Sequence, residues 1–271
     1  MSTTGTTLFR WQGGEFTTLE HCDPVPTSIL AADSWLVSDG RALALDLHRD
    51  RFFAAVEQQY AGDSAGLGLV DFWSRVLAEI PRDGDQFPRV ELQLVRGAPV
   101  LVMRQRPAPE LKVSVTVVTH AGPDPRTNPT IKGPDTAALL QARVEAQARG
   151  ADEAIILSPD GFIVEGSNSA LLWWRGGILC APSPELDRVD SVTARSVIAL
   201  ATALGVDVHY ESVSPAELDG LETWALSALH GIRIVTAWAD GPALAEEPDR
   251  LFRWRSRLDR LKKPLPSRAA G

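Results

Sequence analysis

The stretch TNPTIKGPDTAALL, residues 127–140, places one lysine, Lys132, between Ile131 and Gly133-Pro134, just ahead of a helix-forming run. The chain has 27 lysines and arginines, and only Lys112, Lys132, Lys262 and Lys263 are lysine. The imbalance matters because a guanidinium stays protonated, whereas a lysine amine can be made neutral and can attack a carbonyl carbon to form a Schiff base. Such an amine is best held in a pocket at the end of an element. Lys262 and Lys263 belong to the polar stretch KKPLPSRAAG, and Lys112 lies in an alternating strand beside prolines. Lys132 is therefore the candidate nucleophile; its plainer reading is an exposed loop lysine.

The elements that must position it fall into two halves. The first is rich in strands. LFRWQGGEFTT reads as two short strands about Gly13-Gly14, SWLVSDGRALALDL as a hairpin about Asp39-Gly40, and RVELQLVRGAPVLVMRQR as a third hairpin turning at Gly97. HRDRFFAAVEQQY and LVDFWSRVLAEI carry apolar residues at helical spacing. A boundary is expected between Pro107 and Glu110. Beyond it PAPELKVSVTVVTHA becomes a strand, and helix and strand then alternate. A helix with Asp135 as N-cap runs to Gly150; EAIIL, FIVEG, SALLWW and ILCAP form a meander; VTARSVIALATAL is a helix capped by Asp190 or Ser191. DVHYESV, TWALSAL and GIRIVTAW are strands, PDRLFRWRSRLDRL is an amphipathic closing helix, and KKPLPSRAAG is a frayed tail.

Composition narrows the classes. A length of 271 residues, 44% hydrophobic and 23% charged, suits a globular protein of one large or two smaller domains. The net charge of −8, with arginines scattered among acids, argues against nucleic acid as a partner. Cys22 and Cys180 are too few for a disulfide framework and read as thiols of a reducing cytoplasm. Five histidines without an HxH or HExxH pair give no metal site. No signal peptide and no membrane-spanning run is read.

The segment TIKGPDTAALLQARVEAQARGADEAIILSPDGFIVEGSNSALLWWRGGILCAP resembles the core of the class IV, or fold type IV, pyridoxal-phosphate enzymes. These include branched-chain and D-amino-acid aminotransferases and aminodeoxychorismate lyase. The shared pattern is a lysine before a helix, GADEA, a DG turn, an E-G-S run and a strand leading to a proline. Here it is carried by Lys132, residues 150–154, Asp160-Gly161, Glu165-Gly166-Ser167 and residues 178–182. The resemblance implies that Lys132 is the Schiff-base lysine and that Glu165 faces the pyridine nitrogen, where a carboxylate keeps the ring protonated as an electron acceptor. The plainer reading of Glu165 is a solvated turn residue. DSVTARSVIALA resembles the helix start that holds the cofactor's phosphate, with Val192 and Thr193 matching, Ser191 in place of glycine and Ala194 in place of arginine. DGRALALDLHRDRF resembles the H-x-x-R segment, which makes Arg51 the phosphate arginine. By the same resemblance Arg96, in VRG, is a candidate for the substrate carboxylate. Ser227 and Ala228 stand in the late loop that closes over phosphate and substrate, although Ala228 lacks a hydroxyl.

Departures accompany the match. The glycine-rich turn with an aromatic residue that family members carry before the first core strand is replaced by HCDPVPTSILAADSW, and Ala170 stands where asparagine is usual. The expectation is an α/β (α+β) protein of fold type IV architecture, with domains at residues 1–108 and 109–271, the second carrying the lysine. The resemblance implies a cytoplasmic homodimer with pyridoxal 5'-phosphate held between its domains. It implies an aminotransferase acting on a small amino acid or amino-containing metabolite. Alternatives are aminodeoxychorismate lyase, releasing pyruvate and 4-aminobenzoate, and a non-catalytic relative acting as a binding or scaffold protein.

Overall fold

The computed structural model describes residues 5–19, 27–60, 62 and 65–267. The segment HCDPVPTSILAADSW begins with residues 21–26, which lie outside the described residues, as does Cys22.

Alternation and turn chemistry build the first half. β1 (Thr7–Gln12) and β2 (Glu15–Leu19) pair with Trp11 opposite Phe16. β3 (Thr27–Ser34) follows, and then β4 (Val37–Ser38) and β5 (Arg41–Ala42) close the short hairpin about Asp39-Gly40. Helices α1 (Leu45–Gln59) and α2 (Leu69–Glu79) bury Phe52, Val56, Phe72, Trp73, Val76 and Leu77. β6 (Asp85–Gln86) leads to β7 (Arg89–Val95) and β8 (Ala98–Gln105). In β7, Val90 and Leu92 enter the same core as the helices, while the alternate residues Glu91 and Gln93 face the other side of the sheet. The sheet order is β2-β1-β8-β7-β3.

The second half is one eight-stranded sheet in the order β11-β10-β9-β16-β15-β12-β13-β14. Its strands are β9 (Ser114–Thr119), β10 (Glu153–Leu157), β11 (Ile163–Gly166), β12 (Ala170–Arg175), β13 (Ile178–Pro182), β14 (Val208–Glu211), β15 (Glu222–Ser227) and β16 (Gly231–Ala239). Its helices are α3 (Thr136–Ala148), α4 (Val192–Ala203) and α5 (Arg250–Asp259). The expected meander is interrupted. β10 pairs β11 and β12 pairs β13, but β9, β16 and β15 lie between the two hairpins. The physical reason is that β9 pairs in parallel with both β10 and β16, an arrangement that local strand patterns do not encode.

The chain divides into two compact units. One holds the residues up to Glu110 together with Ile131–Pro134 and the segment from Leu261; the other holds Leu111–Thr130 and Asp135–Arg260. Two expectations are corrected. Lys132 belongs to the first unit, not the second, because Ile131 is buried in the first core and the Lys132 carbonyl accepts the Ala32 N–H at 2.7 Å. The described part of the tail, up to residue 267, is also not frayed: β17 (Lys263–Pro264) pairs with β5, and Leu265 is buried in the first core. No helix among the described residues is long and apolar enough to cross a membrane, and no group of three or more His, Cys, Asp or Glu among them could hold a metal ion.

Candidate active site

In the first unit, β3 organises the site. Lys132 is half-buried, and its main chain is clasped to Ala32. The next residue has to be glycine: Gly133 has φ +135°, and a Cβ there would lie 2.8 Å from the Ala32 nitrogen. One residue beyond Ala32, the fully buried Asp33 holds Arg51. Arg51 Nε donates to Oδ2 at 2.7 Å and Nη2 to Oδ1 at 2.8 Å. The Ser34 N–H donates to Oδ1 at 2.7 Å, and His48 Nδ1 lies 2.8 Å from the same oxygen. Burial alone would push the Asp33 carboxyl up; Arg51 and His48 outweigh it and hold the group far below the usual carboxylate range. Arg96 is elsewhere. It occupies the exposed tip of the β7–β8 hairpin with φ +52°. Ala32 is opposite Glu91, five residues back along β7, so about 16 Å of strand separates Arg96 from the Lys132 clasp. The structure does not bring these two together within the unit.

In the second unit the candidates share one edge of the sheet. Gly166 is opposite Ile155 near the start of β10, Ser227 is opposite Gly231 at the start of β16, and Ala170 is opposite Leu226. The ends of β11 and β15 and the starts of β9, β10, β12 and β16 therefore lie along the same margin. Glu165 is buried there and ion-pairs with Arg126 Nη1. Arg126 is also held by Asp124, through Nε at 2.9 Å and Nη2 at 2.6 Å, and its Nη2 reaches the Asp187 carbonyl at 3.2 Å. Burial opposes the Arg126 charge, but the Asp124 hydrogen bonds and the field of Glu165 raise its pKa above the ordinary arginine value.

Val192 and Thr193 are buried in the first turn of α4. Ser191 is the N-cap, its Oγ accepting the Ala194 N–H at 3.2 Å. A cleft of about 280 Å³ borders this helix end, lined by Thr130, Ala170, Asp190, Ser191 and Ala194 among others; Glu165 and Thr193 do not line it. Ser227 Oγ accepts the His230 N–H at 3.2 Å, which folds the Ala228 turn. Burial, followed by Arg233, Lys112, Arg143 and Arg255, pushes the His230 imidazole down to about 4. Asp135, expected to cap α3 with its side chain, instead turns its carboxylate back on the preceding loop. It accepts from Thr127 N, Thr127 Oγ1 and Asn128 N at 2.8–3.0 Å.

Sequence reasoning missed Asp33, Arg126, Glu153 and Arg233. Glu153 and Arg233 form a buried ion pair, and Glu153 Oε2 also accepts from Ser169 Oγ at 2.7 Å. The pair fixes the turn that follows Glu165, so tightly that a Cβ on Gly166 would meet Ser169 Oγ at 2.6 Å. The one available signal was a charged residue at an inward strand position, GADEA for Glu153 and GIRIV for Arg233. Asp33 and Arg126 had none, because each meets its partner through the fold.

Known proteins show the same architecture. The sequence profile of the family described as Amino-transferase class IV matches residues 30–238. A putative branched-chain-amino-acid aminotransferase from Methanocaldococcus jannaschii is 29% identical over 105 residues, 39% of this chain and 36% of that protein. The aligned stretch thus spans about a third of this curated relative. The crystal structure of a branched-chain aminotransferase from the archaeon Thermoproteus uzoniensis, with norvaline, superposes with a TM-score of 0.80 at 19% identity, covering 96% of this chain and 100% of that one. A putative 4-amino-4-deoxychorismate lyase from Legionella pneumophila gives a TM-score of 0.72 at 17% identity, covering 84% and 90%. At these identities the structural likeness speaks for the fold, which is that of fold type IV. The profile spans most of the sequence, and the chain belongs to the class IV aminotransferase family.

Proposed function

We propose that the protein is a pyridoxal-phosphate-dependent aminotransferase acting on a small amino acid or amino-containing metabolite. The observation that carries the reading is Glu165, a buried carboxylate held by Arg126, an arginine that Asp124 also engages. The residues present fit the cofactor. Lys132 supplies an amine on a fixed main chain, Glu165 a buried anion for the pyridine nitrogen, and Arg51 with the first turn of α4 at Val192 and Thr193 the groups for phosphate. Ser227 and the Ala228 amide are the loop contacts in this reading. When bound, the cofactor supplies an aldehyde that captures the amine and a ring that accepts electrons from the substrate carbon.

The chain's own residues do the rest. Lys132 Nζ would hold the cofactor through its aldehyde and, when free, would be the base that moves the proton at the substrate Cα. Glu165, ion-paired to Arg126, would hold a proton on the ring nitrogen. Arg96 remains our candidate for the substrate carboxylate. The same reading makes the protein a cytoplasmic homodimer, which sedimentation of the purified protein tests.

Borohydride reduction followed by peptide mapping should place a pyridoxyl group on Lys132; labelling at Lys112 would refute the assignment. Incubation with amino acids should yield 2-oxo acids. Pyruvate and 4-aminobenzoate from aminodeoxychorismate would instead establish the lyase, and absence of bound cofactor would favour a binding or scaffold protein.

A further inference from the structure

Two tethers in the first unit hang from consecutive residues of β3. Ala32 holds the Lys132 carbonyl, and Asp33 holds Arg51. The second tether is a two-point ion pair. Asp33 is fully buried, and it engages Arg51 through both Nε and Nη2, the two-point geometry by which a guanidinium would otherwise grip a phosphate. The Arg51 side chain is itself only 16% exposed. Asp33 offsets the Arg51 charge within the protein, so an incoming anion meets a weaker positive field than a lone arginine would give. A phosphate ester, at about −1.5 to −2 near neutral pH, also meets the Asp33 carboxylate.

The other groups assigned to phosphate are modest as well. The α4 N-terminus already gives its Ala194 N–H to Ser191, and Ala194 and Ala228 carry no polar side chain. Asp33 belongs to the segment HCDPVPTSILAADSW, which departs from the family pattern.

We propose that Asp33 is a resident counter-anion for Arg51, and that it lowers the chain's selectivity for the phosphorylated form of its aldehyde cofactor over the unphosphorylated form. The proposal rests on the assignment of Arg51 to the cofactor's phosphate. It makes Asp33 a specificity-determining residue that acts through Arg51.

The test compares dissociation constants of pyridoxal phosphate and pyridoxal, by equilibrium dialysis and by absorbance, on the stripped wild-type chain and on Asp33→Asn. The substitution keeps the shape and removes the charge. Wild type should favour the phosphorylated form by less than about a hundredfold, the gain from one good charge-assisted contact. Asp33→Asn should raise that ratio by about tenfold to a hundredfold while leaving pyridoxal binding unchanged. A ratio unchanged in folded Asp33→Asn overturns the proposal. So does a wild-type ratio well above a hundredfold, and that arm stands even if the variant fails to fold. If neither compound binds wild type or variant, the functional reading falls together with this one. If both bind with the ratio unmoved by the substitution, only this inference falls.

Discussion

Asp33 and Glu165 are both buried carboxylates beside an arginine, yet they are set up differently. Asp33 takes two contacts from Arg51, one from the Ser34 amide and a close approach from His48, so one acid grips the guanidinium at two points. Glu165 shares Arg126 with Asp124, which engages two of the three guanidinium nitrogens. Arg188 feels the field of Glu165, but its own nitrogens donate to the carbonyls of Pro182, Ser183 and Leu186. Arg126 is thus divided between two acids, whereas Asp33 takes two nitrogens of Arg51. The lesson is that burial and an arginine neighbour do not by themselves say what an acid does; what else the arginine engages matters as well.

The comparison can be broken at several points. The largest effect is expected from Lys132→Ala, which sets the floor for any chemistry that either acid serves. Turnover should fall by about 10⁴-fold, and borohydride should no longer fix cofactor to the chain; undiminished labelling would remove Lys132 from the site.

Next come the two arginines. Arg51→Met strands a fully buried carboxylate and should cost about 3–5 kcal/mol in urea unfolding. Arg126→Met should cost less, because Asp124 is partly exposed and can be hydrated. Equal losses would erase the distinction. The Asp33–Arg51 pair also has a pH signature. The folded Asp33 carboxyl lies below its unfolded value of about 3.9, so its stabilisation is complete above that pH and is lost as pH falls below it. Asp33→Asn should lack that acid-limb component in pH-dependent melting.

Glu165→Gln should leave cofactor bound and stability nearly intact while turnover drops about a hundredfold, roughly 2.7 kcal/mol on the barrier. Wild-type exchange of the Cα proton in that variant would show that the Glu165 charge has no catalytic use.

The smallest effect concerns His230. Its folded pKa of about 4 lies below the ordinary 6.5, so the unfolded chain binds more protons between those values and stability rises with pH across that window. His230→Gln should flatten this part of the stability profile by a fraction of a kcal/mol, about the discount expected for a half-buried group.

Much of this was legible in the sequence. The hairpins at Gly13-Gly14, Asp39-Gly40 and Gly97 are turn chemistry between alternating residues, and they form where the turns predict. Helices α1, α2, α4 and α5 follow their apolar spacing. Lys132 and Glu165 stood out because the motif around them is local. What could not be read is long-range. Arg51 looks like an available cation until Asp33, eighteen residues earlier, is brought beneath it. Arg126 looks like a loop arginine until β11 delivers Glu165, thirty-nine residues later. The parallel placement of β9 between β10 and β16, and the allegiance of Lys132 to the first unit, are likewise products of tertiary pairing.

That allegiance, together with β17, bears on how the chain can fold as it is made. The first unit is completed by two later returns of the polypeptide, at Ile131–Pro134 and from Leu261 onward, and the second return comes after every residue of the second unit. During synthesis β5 therefore waits for its edge partner, and the first core waits for Leu265, while the second unit already has all its strands. The vectorial order expected of tandem domains is inverted: the part translated first is the last to be finished. A nascent chain arrested before Leu261 would present the edge of β5 as an open strand to whatever binds unfinished proteins.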